Sequence, residues 1–481
     1  MIPTTNWAAW TPEERESFFD AIARHQRAAW RVTLASRVIN FVVALIVAVL
    51  MSPLFYGVLA LCLDALNLVV PAPNLVPGIG HALDRALNAP GKMSVADWIQ
   101  LAALAALPGL VWMAFVLGAL HRVMHLCMTF ESGELSARAP NPTVLAEQRF
   151  GNVVSEMAIA ANLPPPRVFV VDSPAVDAVA FGVDEQHSTI VISQGLLSLL
   201  NRSQMEGVAA NLIASIADGD MRIGVRAALS LGLFALIARL GSVVSKPHAR
   251  RDLIRIVTAT LLPTTASARK LVTELASPFE DEERTARRSA AATPPAGRWE
   301  KIRPYLWLPL AGPLVMTGFL GGIFNLFVLG PLLSTAWRQR KYMADATAVR
   351  LTRDPDTLSS ALQQMTNRQS APLAPWAAHL SVVDHKGRQR GVFSGSAVPM
   401  FPSIERRLRA LGTLGAHINR AARARIPLRL WLIIVPLLAV LVVLVAMLFP
   451  LLIWLSLALS MLFGGIPFAI LHSLLRWLGH H

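Results

Sequence analysis

Charge is scarce in this chain. Of 481 residues only 15% are Asp, Glu, Lys or Arg, against about 25% in a typical soluble domain. Together with 54% hydrophobic residues and a mean hydropathy of +0.49, that shortage excludes a purely soluble protein and a disordered chain. Cysteine is scarcer still, with Cys62 and Cys127 alone. Both fall in or beside apolar runs, so they read as buried free thiols; a disulfide scaffold and a Cys-pair metal site are excluded. There is no internal repeat and no stacking-aromatic or basic motif that reads nucleic acid. The formal charge of +14 is therefore assigned to cytoplasmic flanks and contact with anionic membrane lipid. The first 36 residues lack the short apolar core and small-residue cleavage site of a signal peptide.

What the chain does have is long apolar runs. A spanning helix needs about 20 mostly apolar residues. Uncharged runs cover 38–63, 98–120, 304–337 and 430–475. At about 1.5 Å per residue the last would be roughly twice as long as a bilayer core is thick, so it is read as two crossings broken near Pro450. A weaker candidate lies at 227–238, between Arg226 and Arg239. Arg15, Arg24, Arg27, Arg31 and Arg37 flank the first run, whereas the loop 64–97 is nearly neutral. The bias of basic residues puts the N-terminal segment in the cytoplasm and that loop outside.

The expected organisation is an amphipathic cytoplasmic segment (1–36), two spanning helices with an external loop (37–128), a first soluble segment (129–225) and a weak span (226–245). A charged flexible linker (246–303), a span (304–337), a second soluble segment (338–429) and a C-terminal spanning hairpin (430–476) follow. The first soluble segment reads as α+β. Apolar spacing gives a helix over 147–161, stopped by Pro164-Pro-Pro166. Strands are expected at 167–172, 176–181 and 189–193, then a short helix at 194–200. Ser203-Gln-Met-Glu206 reads as a capping box opening a helix to about Ala217.

Particular stretches are similar to the HtpX-like family of membrane zinc metallopeptidases. They are Asn152-Val-Val-Ser-Glu-Met-Ala-Ile-Ala-Ala161, Pro165-Pro-Arg-Val-Phe-Val-Val-Asp172, Ala178-Val-Ala-Phe-Gly182, Gln186-His-Ser-Thr-Ile-Val191 and Ile216-Ala-Asp-Gly-Asp-Met-Arg222. The likeness resumes at Arg338-Gln-Arg-Lys-Tyr-Met-Ala-Asp345 and at Ile404-Glu-Arg-Arg407. It implies a polytopic α-helical membrane protein with a split α+β gluzincin-like metallopeptidase domain. It also implies a bacterial-type inner membrane, with the peptidase-like domain on the cytoplasmic side.

The chemistry that the family needs is missing. Such enzymes carry H-E-x-x-H on a helix: two His one turn apart bind Zn²⁺, and the Glu between them acts on the zinc-bound water. Here the aligned residues are Asn211-Leu-Ile-Ala-Ser215. Asn211 and Ser215 stand at the two His positions and Leu212 at the Glu. The family's third ligand, a Glu, aligns with Lys341, four residues before the retained Asp345. The family's C-terminal His-Pro reads Phe401-Pro402. Asn, Ser and Lys are poor zinc donors, so no zinc or other cofactor is expected. Lys341 is placed to hydrogen-bond Asn211 or pair with Asp345. The resemblance also implies that Asp177, Ala178, Val179, Ala180 and Phe181 form the edge strand on which an extended substrate pairs. Main-chain pairing does not depend on a metal, so this substrate-binding stretch can outlive catalysis.

Other polar candidates weigh less. His121 and His125 have the spacing to hold a metal, yet with no third ligand near they read as interfacial residues. His187 reads as structural. His379, Asp384 and His385 are a weak candidate for a substitute site. Ser215 has no evident base to make it a nucleophile. The expected function is a membrane-embedded pseudopeptidase that binds or regulates membrane or unfolded polypeptides, or an active protease partner. The alternatives are a zinc metalloendopeptidase of membrane protein quality control with a non-standard site, and a structural membrane scaffold.

Overall fold

The structure is a computed structural model that describes residues 15–67, 90–130, 134–224, 257–276, 329–366, 373–383 and 401–417, and the single positions 70, 85, 88, 470, 473, 474 and 477. The weak span 226–245, most of the run 304–337, and the hairpin 430–476 with its break at Pro450 lie outside the described residues, apart from a few isolated positions.

Two long helices lead the chain. Helix α1 (Phe18–Asn67) is continuous over 50 residues, about 75 Å at the usual rise. It runs through the bound at residue 36 that hydropathy drew between the amphipathic segment and the first apolar run, since nothing in 18–52 breaks a helix. Helix α2 (Val95–Met128) opens with a reciprocal box between Ser94 and Asp97, which satisfies two of the unpaired N–H groups of its first turn. Within it Gly109–Met128 is long and apolar enough to cross a membrane. The two helices touch at backbone level: a Cβ on Gly109 would lie 2.0 Å from the Ala48 carbonyl oxygen. Such contact suits helices in lipid, where small residues let backbones approach. Cys127 is buried, but Cys62 is exposed on α1, contrary to the expectation of two buried thiols.

The soluble part is built on a four-stranded sheet. Strand β1 (Ala137–Arg138) is followed by α3 (Leu145–Ala160), β2 (Arg167–Val171), β3 (Ala178–Gly182) and β4 (Ser188–Ser193). Their order is β1-β2-β4-β3, with β2 and β4 parallel and the other pairs antiparallel. Strand β3 is thus an edge. Helix α4 (Gln194–Leu199) leads to α5 (Arg202–Ala217). The capping box of α5 is Asn201 with Gln204, two residues before the one expected at Ser203 and Glu206. Asn201 stands just before the first turn of α5, where its side chain accepts from the Gln204 N–H at 2.9 Å.

The later elements are α6 (Thr265–Ala276), α7 (Gly330–Thr352), α8 (Pro355–Met365), a 3₁₀ turn (Pro375–Leu380) and α9 (Ile404–Thr413). Helix α7 crosses the expected boundary at residue 337: Ser334, Trp337, Arg340 and Lys341 are all buried in the soluble core. Helix α5 is buried on nearly every side, packed between α3, α7, α8 and β3. The N-terminal half of α1 lies along α7, where His25 and Gln339 hydrogen-bond at 2.7 Å.

Helix α6 departs from the expectation of a flexible linker over 246–303. Ala268, Leu271 and Val272 are buried, and the helix packs on α2 and the 3₁₀ turn. Arg269 donates to the Thr129 carbonyl just past the end of α2. The apolar residues at 268, 271 and 272 share one helical face, a signal that the surrounding charge obscured.

Candidate functional site

The four degenerate positions lie on two helices that pack together. Asn211 and Ser215, one turn apart on α5, share a face; Leu212 is packed in the core, and all three are buried. Close packing holds α5 in place, since a Cβ on Gly207 would sit 2.5 Å from the Leu358 backbone nitrogen. Lys341 and Asp345 stand one turn apart on α7, each 1% exposed. A second tie lies at the end of α5. There Arg340 of α7 reaches the Asp220 carboxylate and the Asp218 carbonyl.

Asn211 and Asp345 meet directly, with the Asn211 Nδ2 donating to Asp345 Oδ1 at 2.9 Å. The rest of that carboxylate belongs to Arg407 on α9. Arg407 Nη2 donates to Oδ1 at 2.6 Å and Nε to Oδ2 at 2.9 Å, and Nη1 donates to the Val382 carbonyl. Lys341 takes neither partner expected of it. Its Nζ donates to the carbonyls of Ser381 at 3.0 Å and Leu380 at 3.5 Å. The ammonium also faces the rings of Phe401, at 5.2 Å, and Trp337, at 5.8 Å. Burial and the nearby Arg407 pull its pKa down to about 8, with the Asp220, Asp345 and Asp177 carboxylates opposing.

Residues 177–181 form the edge strand β3 and the residue before it, wholly buried. Phe181 stacks edge-on against Phe130 at 5.4 Å. The outer edge is covered in part by the chain itself. Val179 pairs antiparallel with Ser381, and Val382 N–H donates to the Ala178 carbonyl at 3.0 Å. Asp177 Oδ2 accepts from Leu373 N–H at 3.0 Å and from Ser381 Oγ at 3.4 Å. The strand is where the sequence placed it, and Ala178 and Val179 are paired with the chain's own segment.

These residues do not fit a zinc ion. The Asn211 amide is committed to Asp345, the Asp345 carboxylate is neutralised by Arg407, Ser215 offers a neutral hydroxyl, and Lys341 brings a cation. Zinc sites are built from imidazole, thiolate and carboxylate donors with a free lone pair. Among the described residues no three His, Cys, Asp or Glu side chains gather. His379 is buried in the 3₁₀ turn, its carbonyl accepting from the Trp337 indole at 3.2 Å, and burial lowers its pKa to about 3. Asp384 and His385 lie outside the described residues. His121 and His125 are exposed on α2. His187 bonds the adjacent Asp184 at 2.8 Å at the surface.

Arg407 and Ser381 were not singled out from the sequence. A signal for Arg407 exists: with Ile404, Leu408 and Leu411 it occupies the apolar i, i+3, i+4, i+7 stripe of α9, an odd place for a charge without a buried partner. Nothing in the sequence marks Ser381.

Residues 145–414 match the sequence profile of peptidase family M48. Among curated proteins the chain is similar to a "Protease HtpX homolog" of Dictyoglomus thermophilum, 30% identical over 268 residues, which cover 55% of this chain and 68% of that protein. It is also similar to one of Dictyoglomus turgidum, 29% identical over 272 residues, with 55% and 68% covered. A third, of Streptococcus pyogenes serotype M28, is 25% identical over 317 residues and extends the likeness to 63% of this chain and 85% of that protein.

Proposed function

Because the chain belongs to peptidase family M48 and holds a hydrogen-bonded polar cluster around the position of the family's first zinc-binding His, we propose that it is a membrane-embedded pseudopeptidase. It binds extended or unfolded polypeptides, or an active protease partner, and does not cut. The observation that carries this reading is the hydrogen-bonded set Asn211–Asp345–Arg407. It commits the Asp345 carboxylate to a guanidinium and an amide, and beside it Leu212, which has no proton-accepting group, stands where a general base is needed. The apolar runs and the lipid-suited contact of α1 with α2 support a multi-pass protein of a bacterial-type inner membrane. The arginines of α1 support a cytoplasmic face for the peptidase-like domain.

The test is the zinc content and proteolytic activity of the purified full chain, beside a variant carrying Asn211→His, Leu212→Glu, Ser215→His and Lys341→Glu. The chain as it stands is expected to hold no stoichiometric zinc and to leave an unfolded substrate intact. Stoichiometric zinc with cleavage, both lost on Asn211→Ala, would favour a metalloendopeptidase with a non-standard site and overturn the proposal. Failure to capture any polypeptide in cross-linking from the β3 edge would favour a scaffold.

A further inference from the structure

Lys341 occupies the third-ligand position, and its donors are aimed at main-chain oxygens. Leu380 and Ser381 present their carbonyls to its Nζ. The same short segment pairs with β3 through Val179–Ser381 and the bond from Val382 to Ala178. In a metallopeptidase a cation next to the edge strand polarises a carbonyl of the peptide paired on that strand. Here cation, edge strand and paired carbonyl recur together, with an ammonium as the cation and residues 380–382 as the peptide. We propose that Lys341 is a binding site for peptide carbonyl oxygens, and that 380–382 is a resident pseudo-ligand which an extended polypeptide displaces.

The main-chain contacts are ones that another extended peptide can reproduce. Lys341, Arg407 and Ala178 all address main-chain groups of the segment: the carbonyls of Leu380, Ser381 and Val382, and the Val382 N–H. Any extended chain offers the same groups, so an incoming peptide satisfies them without a matching sequence. The segment's side chains add a long bond from Ser381 Oγ to Asp177 at 3.4 Å and the burial of Leu380 and Val382, so a displacing peptide must bring apolar side chains of its own to these two places. A buried ammonium is costly without oxygen partners. The site is therefore not stable empty, and either the resident segment or a client must fill it.

This inference rests on the polypeptide-binding reading, and two measurements on the full chain keep their failures apart. The first is amide hydrogen exchange at Val382 with no peptide added. Lys341→Met keeps the length of the side chain and removes the donors; it is expected to speed exchange about tenfold or more while α3 and β4 stay protected. Unchanged exchange overturns the role of Lys341. The second uses Val179→Cys with Ser381→Cys in a Cys62→Ser background. Side chains directly opposite on antiparallel strands lie within disulfide reach. The probe is fluorescein-labelled, reduced and carboxymethylated lactalbumin. The oxidised protein is expected to bind it at least about tenfold more weakly than the reduced one. Equal binding overturns displacement. Binding by neither form overturns the client reading, and the exchange result then still decides whether Lys341 holds the segment.

Discussion

Arg407 grips Asp345 with two nitrogens, Nη2 at 2.6 Å and Nε at 2.9 Å, and both residues are 1% exposed. The pair joins α7 to α9, and Asn211 joins it to α5. Three helices from distant parts of the chain thus meet on one carboxylate. The guanidinium supplies the positive charge at this junction, in the planar fork that suits a carboxylate.

Removing one partner of such a pair leaves an uncompensated buried charge. Arg407→Met is expected to destabilise the full chain by about 3–5 kcal/mol, read as a lowered unfolding temperature by tryptophan fluorescence in detergent. Adding Asp345→Asn removes the stranded charge and is expected to restore more than half of the loss. A double variant whose loss equals the sum of the singles would show that the two residues are not coupled.

Gly207→Ala separates two opposed effects. In a helix interior Ala is favoured over Gly by about 1 kcal/mol. At this position the new Cβ would lie 2.5–2.7 Å from backbone atoms of Thr357 and Leu358, which cannot yield as a flexible side chain does. Overpacking of this kind costs about 1–3 kcal/mol. The expected result is a net loss and a lower unfolding temperature; a rise would mean that α5 and α8 are less closely docked.

Much of the soluble fold was legible because its signals are local. The apolar spacing of 147–161, the stop at Pro164-Pro-Pro166 and the short apolar strands each act within a few residues. The family motif also located Asn211, Leu212, Ser215 and Lys341. What those residues do was not legible. Asp345 has its partners 134 residues before it and 62 after it, and pairing over such separations is set by tertiary packing. Lys341 was expected to meet Asn211 or Asp345. It turns to main-chain carbonyls instead, because Arg407 already fills the carboxylate. The segment bounds drawn at residues 36 and 337 followed changes in hydropathy, whereas α1 and α7 run through both, since a change of surroundings does not by itself end a helix.

Helix α6 makes a statement about sidedness. Its packing against the end of α2 and the 3₁₀ turn places 265–276 on the side of the peptidase-like domain. The segment 246–303 carries 12 Lys and Arg against 7 Asp and Glu, the excess that the bias of basic residues assigns to the same face as the arginines of α1. A linker lying wholly on the opposite face does not fit this helix. In a Cys62→Ser background, Lys270→Cys is expected to react with an impermeant maleimide from the same membrane face as Arg202→Cys. Labelling from opposite faces in right-side-out and inverted vesicles would refute that placement.

Asp218 gives the soluble part a pH dependence of predictable sign. Its pKa is raised from 3.8 to about 7, first by burial and then by the neighbouring Asp220 charge, against the pull of Arg340. Between those values the folded chain holds a proton that the unfolded chain has released. This contribution to stability is therefore present in full below about pH 4, falls as pH rises, and is exhausted above about pH 7. Asp218→Asn imitates the protonated group and does not titrate. It is expected to match the unsubstituted chain near pH 4 and to exceed it at pH 8 by about 2–4 kcal/mol, the upper figure being the full shift converted at about 1.4 kcal/mol per unit. Unfolding temperatures measured from pH 4.5 to 8.5 decide the matter: the two curves should diverge as pH rises, and parallel curves would show that Asp218 is already ionised in the folded chain at acid pH.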